Sequence, residues 1–382
     1  MQNPWIRPEE GETAMEPNKL NSITSRQASL FIVAAQTGIG ILLLPSAVTR
    51  YAGHSGWISV LIGGVPVFFG CLMIISLCNR FNGSSILTIN TTIFGKHIGF
   101  FLNLIIVLSF IFITASQFLL FVSIVGTWFF KSTPLWVLAI YLVIPSVYIT
   151  AKGLKAICRF NFLLFLFIPI ILSLIPLNLQ NFRFTQLLPL EGHGLMAILS
   201  GVPATAIAFS GFEVLLLIFP YITNKKNLRK YVSAATISTT LIFTIIVIVA
   251  IAVFGENLLV KRVSTISGLA RMIRLPVFER VDLYYFAIWI SGMLLVLNSY
   301  CFISTNSLKQ IFRIKNKYLS LLIITVIKLS TAFFISDTNV QTMLFNISSY
   351  IAMVIGIFIP IVLLLISIIT KKKGGKAVEK TS

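Results

Sequence analysis

The feature that most constrains this chain is a series of ten apolar runs, at about 28–44, 57–77, 98–128, 135–149, 160–177, 195–221, 232–254, 283–304, 318–335 and 342–369 of its 382 residues. A helix of about 20 apolar residues crosses the ~30 Å hydrocarbon core of a bilayer. Inside that core every backbone polar group must be paired within the protein, which leaves helices as the simplest spanning element. With only 11% charged residues, the runs exclude an ordinary soluble domain and predict an all-α integral membrane protein with ten transmembrane helices. The fourth run is short, and the third is long enough to tilt strongly.

The polar segments divide the chain. Residues 1–26 hold Glu9, Glu10, Glu12 and Glu16 together with Pro4, Pro8 and Pro17, and read as a flexible cytoplasmic tail. They have neither a basic leader nor a small-residue cleavage site, so the first span is expected to act as its own signal. Two sets of five spans follow, over 27–177 and 195–370. An outer loop at 178–194 separates them, and a basic cytoplasmic tail at 371–382 closes the chain. If the N-terminus is inside, Arg50, Lys131, Arg183, Lys261, Arg262, Arg271, Arg274 and Arg280 lie outside and Lys328 lies within a span, leaving 21 of the 30 Lys and Arg on the inside. That asymmetry places both termini in the cytoplasm.

The same asymmetry accounts for the net charge of +19. No basic stretch is interleaved with stacking aromatics outside a span, so the expected partner is the lipid membrane and not nucleic acid. Cys71, Cys78, Cys158 and Cys301 sit in or beside apolar runs without CxxC spacing, so neither a disulfide framework nor a metal site is expected. His54, His97 and His193 fall in separate loops and read as interfacial or solvated. No nucleophile–base pair, HExxH or phosphate-binding glycine loop is present, so neither an enzyme activity nor a cofactor is expected.

The loop at 255–282 has structure of its own. Ile266, Leu269, Ala270 and Ile273 recur at helical spacing and predict a short amphipathic helix on the outer surface, either anchored among headgroups or covering a ligand path. Glu279, Arg280 and Asp282 read as an exposed ion-pair cluster.

Two spans are interrupted in their interiors. Gln36-Thr37-Gly38-Ile39-Gly40-Ile41 places two glycines within the first run, and Ala208-Phe209-Ser210-Gly211-Phe212-Glu213 places a small pair beside a carboxylate within the sixth. Glycines at such spacing either allow close packing or let a helix unwind and expose its backbone. A charged group at membrane depth costs about 2.5 kcal/mol or more unless it faces a cavity or a partner, so Glu213 is either a functional group or a structural carboxyl bonded between helices. Runs one and six each open a set of five. Interrupted segments in matching halves point to a midplane site between inverted repeats, where helix N-termini receive an anionic group and free carbonyls receive a cation. A small zwitterion satisfies both.

Other polar positions are open in meaning. Gln117, with Thr114 and Ser116, either lines the cavity or bonds between helices, and Asn298, Ser299 and Tyr300 either line a water path or bond between helices. Ile113 lies one turn before Gln117 on nearly the same face. Lys328, in the ninth run, is expected to snorkel or to pair internally.

Several stretches resemble one known family. Ile23-Thr24-Ser25-Arg26-Gln27, Gly38-Ile39-Gly40-Ile41-Leu42-Leu43-Leu44-Pro45 and Gly53 to Gly56-Trp57-Ile58 resemble the opening of spore germination permeases, the B subunits of nutrient germinant receptors. Phe209-Ser210-Gly211-Phe212-Glu213-Val214 with Pro220, Phe278-Glu279-Arg280 with Trp289, and Asn306-Ser307-Leu308-Lys309 extend the likeness over about 20–370. Gln117 stands where the family often has a carboxylate, and Leu295 and Val296 stand where some members carry hydroxyls. The resemblance implies a ten-span fold of the amino acid, polyamine and organocation transporter superfamily, with two inverted five-helix repeats. It also implies a spore inner-membrane location, an amino-acid or sugar ligand, and A and C receptor subunits as partners. Together with the two interruptions, it places the expected ligand among Thr37, Gly38, Ile39, Gly40, Ile113, Gln117, Phe209, Ser210, Gly211, Glu213, Leu295 and Val296. The alternative function is a proton- or ion-coupled amino-acid permease.

Overall fold

A computed structural model describes residues 22–188, 194–262, 265–273 and 281–374. Helix α1 (Ser25–Gln36) starts at a capping box, in which the Thr24 hydroxyl accepts from Gln27 N at 3.3 Å while Gln27 Oε1 accepts from Thr24 N at 2.9 Å. After a break at Thr37–Ile39 the chain resumes as α2 (Gly40–Ala52) and turns into α3 (Gly56–Arg80). The first half continues through α4 (Ile86–Phe129), α5 (Leu135–Lys152), α6 (Leu154–Phe160), α7 (Leu164–Leu172) and α8 (Leu174–Leu177). The second half opens with α9 (Gly194–Gly201), α10 (Ala206–Phe209) and α11 (Leu215–Ile218), short pieces of one bent span. It proceeds through α12 (Leu228–Leu259), α13 (Thr265–Met272), α14 (Val281–Ile311), α15 (Lys317–Phe334), α16 (Thr338–Met353) and α17 (Ile359–Ile369). Among the described residues there is no strand, only an isolated parallel bridge between Ile23 and Ile222 that ties the start of α1 to the segment after α11.

By length and apolarity, eight helical stretches qualify as membrane spans, or nine when α9–α10 is joined to the 212–221 segment across a 53° bend. The expected count of ten is not reached because the first span is divided. Its α1 half has 12 residues, about 18 Å of helix and too short to cross alone. Its α2 half runs on into α3 as one 41-residue stretch.

The third span also differs from its expected bounds. It begins at Ile86 instead of about 98, and Gly95 at φ +78° folds residues 86–94 back along its own start. Asn90 Nδ2 donates to Asn103 Oδ1 at 2.9 Å, and Asn103 Nδ2 donates to the Leu87 carbonyl at 2.7 Å, which pins the fold-back through a fully internal amide pair.

The core is formed where α12 packs on α1, α2 and α3, and where α14 packs on α1, α4, α5 and α15. Several expectations about single residues change in this packing. Lys328 does not snorkel: its side chain is fully buried, with Nζ 3.6 Å from Cys301 Sγ and 5.1 Å from the centroid of the Phe118 ring. His54 is buried, not solvated, and its Nδ1 lies 3.4 Å from Glu256 Oε2. Asp282 is buried as well and pairs with Arg271 at 3.3 Å, so it is no exposed cluster member, while Glu279, Arg280 and His193 lie outside the described residues. The helix anticipated near 266–273 forms as α13, and its Ile266, Leu269, Ala270 and Ile273 are buried against α2, α12 and α14. Its apolar face is therefore covered by protein and not by headgroups.

The amide pair at Asn90 and Asn103 gives a direct test. Replacing Asn103 with Leu strands the Asn90 amide, and an unsatisfied buried polar group costs about 1–3 kcal/mol. Asn103→Leu is expected to lower the thermal midpoint of the detergent-solubilised protein, whereas exposed Thr92→Val nearby leaves it unchanged.

Candidate functional site

A helix interrupted inside a membrane protein must find new partners for the amides and carbonyls it releases. At the first break the chain solves this locally. Thr37 N donates to the Val33 carbonyl, Gly38 N to the Gln36 carbonyl, and Leu42 N to the Ile39 carbonyl, at 2.9, 2.9 and 3.0 Å. The restart at Gly40 still leaves α2 with leading amides that its own helix cannot pair.

At the second break, Ser210 (φ −56°, ψ 140°) and Gly211 (φ +127°, ψ −22°) form the two corners of a turn close to type II. That turn needs positive φ at its second corner, which favours glycine. The Gly211 amide turns back to donate to Glu213 Oε2 at 2.7 Å. The other carboxylate oxygen accepts from the Tyr300 hydroxyl at 2.6 Å. Glu213 is wholly buried with both oxygens engaged, so the carboxylate joins span six to α14 as well as serving its own broken backbone.

The two breaks lie against each other. A Cβ on Gly211 would fall 2.6 Å from the Ala35 carbonyl carbon and 2.8 Å from Gln36 N, and a Cβ on Gly40 would fall 2.1 Å from the Ile207 carbonyl oxygen. Both glycines thus serve close backbone approach between the spans. Gly38 is the glycine that lies in the irregular segment, with Val296 Cγ2 3.1 Å from its Cβ position. Gln36 adds a polar link: its Nε2 donates to the Phe209 carbonyl at 3.1 Å across the junction, and its Oε1 is buried without a partner.

Beyond Tyr300 the network runs into the third span. The Thr114 hydroxyl donates to the Phe110 and Tyr300 carbonyls at 2.7 and 3.2 Å and meets Ser304 Oγ at 2.6 Å. The expected positions thus fall into groups. Thr37, Gly38, Ile39, Gly40, Ser210, Gly211 and Glu213 meet at the junction, and Val296 reaches it from α14. Phe209 contributes its carbonyl there, while its ring packs on Phe243 at 5.5 Å, toward α12. Ile113 and Gln117 are buried on the α4 stretch that bonds α14, and Gln117 Oε1 has no partner.

A narrow apolar cavity adjoins the junction on the α13 side. Thr37 and Leu295 line it, together with Phe167, Ile266, Trp289 and Gly292. Of the expected positions, only Thr37 and Leu295 reach it. Its walls are almost entirely hydrocarbon, and the indole Nε1 of Trp289 is buried without a partner. Neither Gln36, Tyr300 nor Trp289 stood among the expected ligand residues, and Gly356 was not marked at all. Gly356 lies in a π-helical stretch, Val354–Phe358, where its Cβ would fall 2.4 Å from Phe212 Cζ and 3.2 Å from Glu213 Cβ.

A match to the spore permease family, described as spore germination protein, spans residues 22–342. The chain belongs to that family. It is 27% identical over 335 residues to spore germination protein GerQB of Bacillus cereus, covering 87% of this chain and 92% of that protein. To spore germination protein YndE of Bacillus subtilis (strain 168) it is 26% identical over 360 residues, covering 93% and 99%. Among solved structures, Mhp1, a nucleobase-cation-symport-1 family transporter held closed with bromovinylhydantoin bound, superposes at a TM-score of 0.61 with 13% identity, over 88% of this chain and 77% of Mhp1. MhsT in complex with L-phenylalanine gives 0.58 with 14% identity, over 92% and 99%. The fold is that of these transporters, and the family and its structural neighbours are permeases and transporters, not enzymes.

Gly211 supplies the test of this junction. Gly211→Ala and Gly95→Ala both force an alanine into a positive-φ region outside the left-handed helical well, a strain of about 1–3 kcal/mol each. Only Gly211→Ala also drives a methyl into the α1 backbone, since nothing lies within 4 Å of a Cβ on Gly95. Gly211→Ala is therefore expected to lower the thermal midpoint well beyond Gly95→Ala, and equal losses would mean that the contact with α1 contributes nothing.

Proposed function

We propose that this protein is the nutrient-sensing transmembrane subunit of a spore germinant receptor, binding a small nutrient where the breaks of the first and sixth spans meet. The reading includes two five-span halves related as inverted repeats, both termini in the cytoplasm, residence in the spore inner membrane, and A and C receptor subunits as partners. The observation that carries it is the junction itself: two interrupted helices in backbone contact, beside a cavity bounded by Thr37 and Leu295. Leading amides of α2 suit a carboxylate. The hydrocarbon walls beyond suit an apolar side chain. An amino acid with an apolar side chain combines these features.

Sensing requires only that the ligand favour one conformation over another. Reversing a 1:99 population takes about 5.5 kcal/mol of differential affinity, which a few buried hydrogen bonds and an apolar side chain can supply. Transport by the same site, coupled to a proton or ion, is the second reading, favoured by the transporter fold of the neighbours.

Two measurements test the proposal. In Gly292→Leu the added side chain extends into the cavity, because a Cβ at 292 meets only Phe167 ring atoms at 3.7–3.9 Å. The variant should reach normal protein levels yet raise the nutrient concentration for half-maximal germination by about tenfold or more, equivalent to ~1.4 kcal/mol of binding. An unchanged nutrient response would remove the cavity from the site. Purified protein in liposomes separates the two functions: binding of an amino acid without flux supports sensing, and saturable uptake without partner subunits overturns a purely sensory role.

A further inference from the structure

A second cavity opens where the C-terminal ends of α5 and α14 meet the N-terminal end of α15. It is distinct in chemistry from the apolar cavity at the junction. Lys152, Lys309 and Lys317 line it, and no carboxylate does. Lys152 Nζ rests over the Tyr148 ring at 5.2 Å, and Lys317 Nζ donates to the Ala151 carbonyl at 3.2 Å and rests over the Tyr318 ring at 5.0 Å. Among the described residues none of the three is paired with an acidic side chain. Three cations in one concavity repel each other unless an anion joins them.

The inner wall points the same way. Thr150 and Thr305 are each 6% exposed and line the cavity, and both hydroxyls are buried without a partner, as is Asn306 Nδ2. Buried polar atoms of this kind normally have partners. Here they lie in the wall that the lysines rim. The first turn of α15, capped by Asn316, brings its positive dipole end to the same cavity through Lys317 and Tyr318, against the negative ends of α5 and α14, which Lys152 and Lys309 offset. Hydroxyls, a carboxamide donor, ammonium groups and a helix N-terminus form one donor-rich set, which calls for a compact anion with several acceptor oxygens.

We propose that this cavity is a binding site for a phosphate group. Lys309, the half-buried member of the three, supplies the central charge, with Thr150, Thr305 and Asn306 donating to the phosphate oxygens and Lys152 and Lys317 closing the rim. The phosphate has two possible sources, a free anion in solution or the headgroup of an anionic lipid. Exposed Tyr148 on α5 and exposed Leu322 on α15 offer apolar surface beside the cavity on which acyl chains would lie.

Thermal unfolding of the full-length protein in detergent tests the site, with inorganic phosphate, phosphatidylglycerol and phosphatidylcholine as separate probes. Phosphate or phosphatidylglycerol should raise the midpoint and phosphatidylcholine should not. A shift with phosphatidylglycerol alone assigns the lipid source, and a shift with inorganic phosphate assigns the free anion. Lys309→Gln should weaken the effective probe by about tenfold, as expected for loss of a charged hydrogen bond, and Thr305→Val should weaken it less. Lys152→Gln, altered only at the exposed rim, guards against a folding defect in the buried variants and should also weaken the response. Lys226→Gln removes the same charge from an exposed position outside the cavity and should leave the response intact. No shift with either probe, or an equal loss in Lys226→Gln and Lys309→Gln, overturns the proposal.

Discussion

The structure depends on how it treats the backbone freed by two broken helices. In a membrane interior an unpaired amide or carbonyl costs several kcal/mol, so a break persists only if side chains or neighbouring backbone absorb it. Glu213 does this most directly, with one oxygen on the Gly211 amide two residues earlier and the other on Tyr300. A carboxylate is otherwise an expensive residue at such depth. It is tolerated because both oxygens have donors, and the same two bonds fix the geometry of span six against α14.

That arrangement explains the glycines better than conformational freedom alone. Gly211 combines a positive φ with backbone contact to Ala35 and Gln36, whereas Gly40 sits in regular helix and is small because the Ile207 carbonyl occupies the space a side chain would take. Gly356 repeats the device from the helical stretch between α16 and α17, its π-helical turn giving room to Phe212 beside Glu213. Three separate spans are thinned at one place. The close packing gives the junction rigidity, and the π-turn adds the irregular helix that often accompanies functional sites.

Much of this was legible before any coordinates, and the limits were physical. The breaks are readable because Gly38 and Gly40 interrupt the first run and Ser210-Gly211 the sixth, each opening a set of five, and Glu213 because a carboxylate stands out against hydrocarbon. The partners are not. Tyr300 reads from sequence as a polar residue that either lines water or bonds a helix, and only the rotation of α14 about its axis turns its hydroxyl toward Glu213. Gln36 is one residue before the break, and its link to Phe209 exists only because the two breaks touch. Lys328 reads as a residue that either snorkels or pairs internally, since a long cationic stem can reach an interface or a buried partner. Its burial over Phe118 depends on how α15 packs against α4 and α14, which no local pattern encodes. The count of ten spans faltered for a related reason, since a break that divides one span also leaves its α2 half continuous with the next helix.

The hydrogen bonds around Tyr300 bear on how a signal would leave the junction. Tyr300 holds Glu213 through its hydroxyl, and its carbonyl is held by Thr114, which also meets Ser304. Span six is thereby linked to α14 and, through Thr114, to α4. Span one joins the same unit through Gln36 and the Gly211 contact. A ligand that displaces either break by even an ångström must therefore do one of two things. It must carry Tyr300 and part of α14 along, or it must break a bond to a buried carboxylate, which costs more than an ordinary neutral hydrogen bond. Movement of the breaks and loss of the Tyr300 bond are consequently alternatives of unequal cost. Such inequality favours concerted displacement of the spans over local rearrangement, the behaviour a receptor subunit needs if binding in its interior is to be felt at its surface.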